Sequence, residues 1–203
     1  MEHLTKLFSL MQISRAMPQY GYAIRGIRQN DLSNLAEHHY LVSFIAWQLG
    51  LFLNKAGAKL NIERILSHAM THDIGELLGG DISFPYARQN PEAREYSRKF
   101  EESNLSFLSD YFGPWKEEFL KISKENMLPE SDEALVYKVA DYLECEHYLH
   151  YMDKLDHKDL EEMLNKLDQV TNGFKDEIAK REIKKFLKLW GSQIVADKGN
   201  SVL

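Results

Sequence analysis

Apolar side chains recur along this chain at a spacing near 3.6 residues, the pattern of amphipathic helices rather than strands. Residues 3–15 place Leu4, Leu7, Phe8, Met11 and Ile13 near that spacing and predict a first helix. Residues 16–31 hold Pro18, Gly21, Gly26 and the Asn30-Asp31 pair, which predict an ordered loop. Ser33 suits the cap of the next helix, with Glu37 in its early turns. Its apolar positions are dense from Leu41 to Leu53, so it is expected to be central and buried, ending near 54–57.

Asn61 can cap a strongly apolar helix over 62–78, stopped by the Gly79-Gly80 pair. Residues 81–90 read as a loop. Pro91 fits the first position of a helix reaching about 112, and Pro114 opens a short one over 115–122. Ser131 opens another, with Asp132 and Glu133 in its first turn and Leu135, Val136, Val139 and Leu143 on one side. Tail helices are expected near 158–168 and 174–190. Two-residue alternation is not sustained anywhere and no Asn-Gly hairpin occurs. The fold class expected is therefore an all-α bundle.

Composition narrows the partners. With 203 residues the chain suits one domain, residues 1–203, with or without a helical extension. A net charge of −6 and no basic stripe disfavour long nucleic acid. A small phosphate ester stays open, because a metal and one or two basic residues can neutralise it locally. Cys145 is the one cysteine, so no internal disulfide can form. The opening stretch does not read as a secretion signal. No run approaches the ~20 apolar residues of a membrane span, so no membrane partner is expected and the cytoplasm is the expected location.

Candidate chemistry lies in Glu37-His38-His39, His68, His72-Asp73, Glu76, Asp81 and Asp141. His72-Asp73 falls inside the apolar stretch ILSHAMTHDIGELLGGD. A carboxylate there is costly to bury unless it is paired or ligates a metal. An isolated pair of this kind is ordinarily a structural hydrogen bond, but three features point further. Glu76 follows His72 by four residues, which would put both on one helix face. His38 stands near the start of the central helix. Asp141 lies on a third helix among Val136, Val139, Ala140 and Leu143. Two imidazoles and two carboxylates from three helices suit a divalent cation and do not resemble a thiolate-rich structural zinc site. His68 and His72 are also four apart, but Ala69 stands where a zinc-protease helix needs Glu, so His68 reads as a core or supporting histidine. His39 reads as structural or supporting.

The order His … His-Asp … Asp, with His-Asp-x-x-Glu on the second of these helices, resembles the HD-domain phosphohydrolases, and most closely their YfbR-like 5'-deoxynucleotidase branch. The segments that carry the resemblance are MPQYGYAIRG, LAEHHYLV, AMTHDIGELLGGDISFP and YKVADYLECEHYL, with NPEAREYSRKFEE as a fifth. It runs over about 3–150 and fades in the C-terminal helices, about 151–195. It implies an HD-domain helical bundle with a C-terminal helical extension. It also implies one divalent metal ion (Mn, Co, Zn, Mg or Fe) on His38, His72, Asp73 and Asp141. Glu76 would be the catalytic acid or base, and Asp81 would orient the substrate or the attacking water. Tyr22 falls where the branch usually has tryptophan, packing on sugar or base, and Gly21 falls where some members place an arginine. Arg25 and Arg88 are candidate phosphate contacts, with Arg15 and Arg28 as further alternatives.

The activity implied is removal of the 5'-phosphate from (deoxy)nucleoside monophosphates. Two other readings stand beside it: a (deoxy)nucleoside triphosphate triphosphohydrolase or pyrophosphohydrolase, and a nucleotide-binding regulatory protein without turnover. A two-iron oxygenase ranks below these, since only His39 and His68 are spare imidazoles. Proteins of the branch are commonly homodimers. The amphipathic tail helix, with Phe174, Ile178, Ile183, Phe186, Leu187 and Trp190, is expected to cap its own core, the alternative being a second subunit.

Overall fold

Helix caps and glycine breaks set the element order in the computed structural model, which describes residues 2–79 and 82–196. The α-helices among them are α1 (Glu2–Met11), α2 (Leu35–Lys55), α3 (Ile62–Thr71), α4 (Phe84–Gln89), α5 (Pro91–Ser109), α6 (Lys116–Met127), α7 (Asp132–Tyr151), α8 (His157–Asn172) and α9 (Glu177–Ala196). No strand occurs among the described residues, and Pro18 and Asn34 form one isolated antiparallel bridge. Among the described residues no helix is long and apolar enough to cross a membrane.

Two caps are those expected: Asn61 Oδ1 accepts from the Arg64 N–H at 3.1 Å, and Ser131 Oγ from Ala134 N–H at 3.2 Å. Pro91 opens its helix as expected, and the cap ahead of it is Asn90, whose Oδ1 accepts from Ala93 N–H at 3.1 Å. The cap of α2 is Asn34 rather than Ser33. Asn34 Oδ1 accepts from Glu37 N–H at 3.0 Å, while Glu37 Oε2 accepts from Asn34 N–H at 3.3 Å. This reciprocal pair is a capping box. The Ser33 hydroxyl instead braces Glu37 Oε2 at 3.3 Å.

Other boundaries differ from the sequence expectation. The stretch 16–31 is ordered, with 3-10 turns at Tyr20–Arg25 and Gln29–Asp31 after one at Gln12–Ala16. Part of the loop expected over 81–90 is α4. The helix expected to reach 112 stops at Ser109, and the 3-10 turn Asp110–Trp115 follows. Gly113 sits in that turn at φ 57°, a conformation with little cost only for glycine. The largest departure concerns 62–78. α3 ends at Thr71, Asp73 leaves helical geometry at φ −108° and ψ 20°, and a 3-10 turn covers Ile74–Leu78. His72 and Glu76 therefore do not share one continuous α-helical face.

The described residues form two compact units, each discontinuous in sequence. The first comprises residues up to His39 together with Thr71–Met127. Its apolar cluster is Leu35, Ile74, Leu77, Leu105, Leu108 and Phe119. Phe112 and Phe119 stack there with centroids 3.8 Å apart. The second comprises Tyr40–Met70 and the described residues from Leu128 onward. Its larger cluster draws on α2, α3, α7, α8 and α9. Phe174, Ile183, Leu187 and Trp190 are buried in it, so the tail helix caps its own core, as expected.

Candidate metal centre

The capping box fixes the first turn of α2, and His38 stands in that turn with its N–H on Asn34 O at 3.0 Å. His72 and Asp73 occupy the break after α3. Adjacent residues on a regular α-helix point about 100° apart, so an unbroken helix would send these two side chains in different directions. The break lets them converge. His38 Nε2 lies 3.0 Å from His72 Nε2. Asp73 Oδ2 lies 3.4 Å from the first and 3.2 Å from the second.

His38 and His72 are buried, at 2% and 5% exposure, while the Asp73 side chain is 26% exposed. The trio thus has apolar backing and one side accessible to solvent. Enclosure works to raise the Asp73 carboxyl. The charge and hydrogen bonds of His72 and His38 outweigh it, and Asp73 is held well below its ordinary 3.8. An anionic carboxylate facing two imidazole nitrogens is a donor set ready for a cation. Donors held ~2.1 Å from one ion, at angles from about 90° to tetrahedral, lie ~3.0–3.4 Å from one another. The three observed separations fall in that range, so the residues fit a divalent metal.

Among the described residues the candidate ligand cluster consists of these three. Asp141 belongs to the second unit. It is buried on α7, where Oδ2 accepts from Lys138 Nζ at 2.8 Å and Oδ1 lies 4.0 Å from Cys145 Sγ. Burial works to lower the Lys138 ammonium, but Asp141, Tyr137 and Tyr142 outweigh it and hold Lys138 well above 10.5. Asp81 lies outside the described residues. Glu76 is half-buried on the turn Ile74–Leu78, and its N–H donates to Asp73 O at 2.9 Å. Tyr22 is buried and Arg25 half-buried in the turn Tyr20–Arg25, whereas Arg88 is exposed on α4. His39 is buried with its ring centroid 4.9 Å from that of His72. His68, in the second unit, stacks on Tyr137 at 5.7 Å, as a core histidine does. Asn34 was missed as the residue that sets the His38 turn. Its spacing to Glu37, an Asn-x-x-Glu ahead of an apolar run, is the signal that finds it.

Comparison with known proteins bears on the family and the fold. A family model described as 5'-deoxynucleotidase YfbR-like matches residues 19–192. A 5'-deoxynucleotidase of Vibrio vulnificus is 36% identical over 128 residues, and one of Vibrio parahaemolyticus 39% identical over 128. Each match covers 59% of this chain and 64% of the relative, so the chain spans just under two thirds of their length. An HD-domain phosphohydrolase of Listeria innocua superposes with a TM-score of 0.73 at 22% identity, covering 97% of this chain and 91% of that one. A Pyrococcus horikoshii protein superposes with a TM-score of 0.70 at 20% identity, covering 93% and 98%. The structural likenesses establish the fold.

Proposed function

The chain belongs to the YfbR-like 5'-deoxynucleotidase family, and on that premise we propose that it hydrolyses the 5'-phosphate of deoxynucleoside monophosphates with the help of one divalent cation. The observation that carries the proposal is the meeting of His38 Nε2, His72 Nε2 and Asp73 Oδ2 within 3.0–3.4 Å. Asp141 is the fourth ligand in this reading, supported by its order in the sequence pattern and by the burial of a carboxylate on an apolar helix. A divalent cation supplies Lewis acidity, which acidifies water and offsets charge on phosphoryl oxygens.

The chain's own groups do the rest. The buried imidazoles of His38 and His72 exclude bulk water from one side of the reacting centre. The more open Asp73 edge is where phosphate and water approach. Glu76, three residues beyond Asp73 and tied to it through the backbone, carries the proton between water and the leaving 5'-oxygen. Arg25 and Arg88 are the candidates to clamp the phosphate, because a guanidinium matches two of its oxygens at once. Tyr22 and Asp81 complete the reading, as a sugar or base platform and as an orienting carboxylate.

The test takes metal-stripped protein, restores Mn, Co, Mg or Zn in turn, and offers deoxynucleoside monophosphates, ribonucleoside monophosphates and deoxynucleoside triphosphates. Nucleoside and orthophosphate from the monophosphates are expected. Glu76→Ala should abolish turnover while stoichiometric metal stays bound. Release of triphosphate or pyrophosphate alone would move the chain to triphosphate chemistry. Nucleotide binding with no turnover under any metal would overturn the enzymatic reading.

A further inference from the structure

The break between α3 and the turn Ile74–Leu78 has no proline, and its alternative is simple. α3 could continue as a regular helix, which would separate the His72 and Asp73 side chains. Stretches of 3-10 helix longer than three or four residues are uncommon because their hydrogen bonds are poorer. Something outside the segment must therefore hold it.

Two buried amides grip it from different helices. Asn126 on α6 donates from Nδ2 to Thr71 Oγ1 at 3.3 Å, one residue before His72. Asn104 on α5 donates from Nδ2 to Gly75 O at 2.8 Å, two residues after Asp73. Both side chains are more than nine-tenths buried. Asn104 is buried on α5 together with Leu105 and Leu108, where a leucine would bury more apolar surface. An amide is kept in such a place when its hydrogen bond is needed. The backbone of Gly75 lies so close to α5 that a Cβ there would come within 2.6 Å of Glu101 Cγ and 3.2 Å of Leu105 Cγ. The carbonyl and the amide thus meet at short range with no side chain between them.

We propose that Asn104 and Asn126 are positioning residues that pin the two ends of this break, so that His72 and Asp73 present their donor atoms to one cation. The proposal rests on the reading of the trio as a metal site, and its test separates the two. Mn(II) affinity is measured by equilibrium dialysis on folded protein, beside the thermal midpoint of the metal-free form. Asn104→Leu keeps the branched shape and removes the donor. Loss of an outer partner of a metal site typically weakens affinity by about 10–100-fold, and about tenfold is expected here. Thr71→Val removes the other acceptor at a half-buried position and serves if Asn104→Leu does not fold. It should weaken affinity by a few-fold, and the Co(II) visible spectrum of either variant should shift. Asp73→Ala is the control. If Asp73→Ala retains metal, the site reading fails. If Asp73→Ala loses metal while both clamp variants keep wild-type affinity and spectrum, with only the thermal midpoint lowered, the clamp is merely structural and the proposal is overturned.

Discussion

The two units solve different problems with the same helical alphabet. All the 3-10 turns among the described residues lie in the first: Gln12–Ala16, Tyr20–Arg25, Gln29–Asp31, Ile74–Leu78 and Asp110–Trp115. Its apolar cluster is small, and three of its polar side chains, His38, His72 and Asp73, meet at one point. The second is built of long regular helices around a broad core, with α7 alone burying eleven of its residues. There a buried polar group such as Asp141 has a neighbouring cation, Lys138, at hydrogen-bond distance. Regular helices give periodic apolar faces, which pack well but point adjacent side chains apart. A site needing His72 and Asp73 on the same spot must interrupt the helix, and the interruption leaves less regular backbone and less core. The first unit is thus organised around a constellation, the second around burial.

The widest separation between them should appear in a pair of substitutions. Asp73→Ala should lower kcat/KM by at least about a thousandfold, ~4 kcal/mol of transition-state stabilisation. The thermal midpoint of the metal-free protein should fall only modestly, since the contacts to His38 and His72 are lost but a partly exposed carboxylate contributes little packing. Ile183→Ala, at a fully buried position of the second unit, should do the reverse. It should cost about 2–5 kcal/mol of stability by urea unfolding, with metal affinity of the folded fraction unchanged. If Ile183→Ala released metal at concentrations where it stays folded, the separation of roles would be wrong.

That separation also marks what could be read in advance. The helices of the second unit were legible because apolar spacing and caps such as Asn61 and Ser131 act locally. The meeting of His38, His72 and Asp73 was legible because a His-Asp pair in an apolar stretch is expensive without a partner. The break between Thr71 and Ile74 was not, since no proline marks it and the contacts that impose it come from residues 29 and 55 positions away. Asn104 looks like one more polar residue of a charged helix until the fold places it beside Gly75. Ser33 and Asn34 are equally good caps by type, and what favours Asn34 is its three-residue spacing to Glu37, a signal the cap type alone does not carry. α4 escaped notice because six residues carry too little periodicity.

A smaller effect tests whether the first unit's irregularity depends on close backbone approach. Gly75→Ala inserts a methyl where Glu101 Cγ and Leu105 Cγ already stand at 2.6 and 3.2 Å. Overpacking of this kind costs about 1–3 kcal/mol. Because the displaced backbone carries Asp73 and Glu76, kcat should fall even at temperatures where the variant is fully folded. The matching change in the second unit is Gly173→Ala, where the nearest side-chain atom to the new methyl is Leu135 Cδ1 at 3.3 Å. It should lower stability without touching kcat. Equal losses of kcat in both variants would erase the contrast.

The last test concerns the ion pair of the second unit, studied without metal. Lys138 is held well above 10.5 because Asp141, with Tyr137 and Tyr142, overcomes the cost of burying the ammonium. A group whose pKa is raised on folding stabilises fully below its unfolded value, near 10.4, and loses that contribution as pH rises through the folded value. The window therefore lies above about pH 10.5 and not in the neutral range. Lys138→Met should be less stable than wild type at pH 8, because Asp141 stays buried beside an apolar chain. Its urea midpoint should then approach that of wild type as pH is carried past 11. Ionisation of tyrosines remote from Lys138 affects both proteins and cancels in the difference, whereas Tyr137 and Tyr142 act on Lys138 itself and belong to the contribution measured. A gap that stayed constant from pH 8 to the alkaline end would mean that Lys138 acts by packing its stem over Tyr142, whose ring centroid lies 5.0 Å from Nζ, and not by its charge. That outcome would leave the second unit organised by burial even at the contact between Lys138 and Asp141.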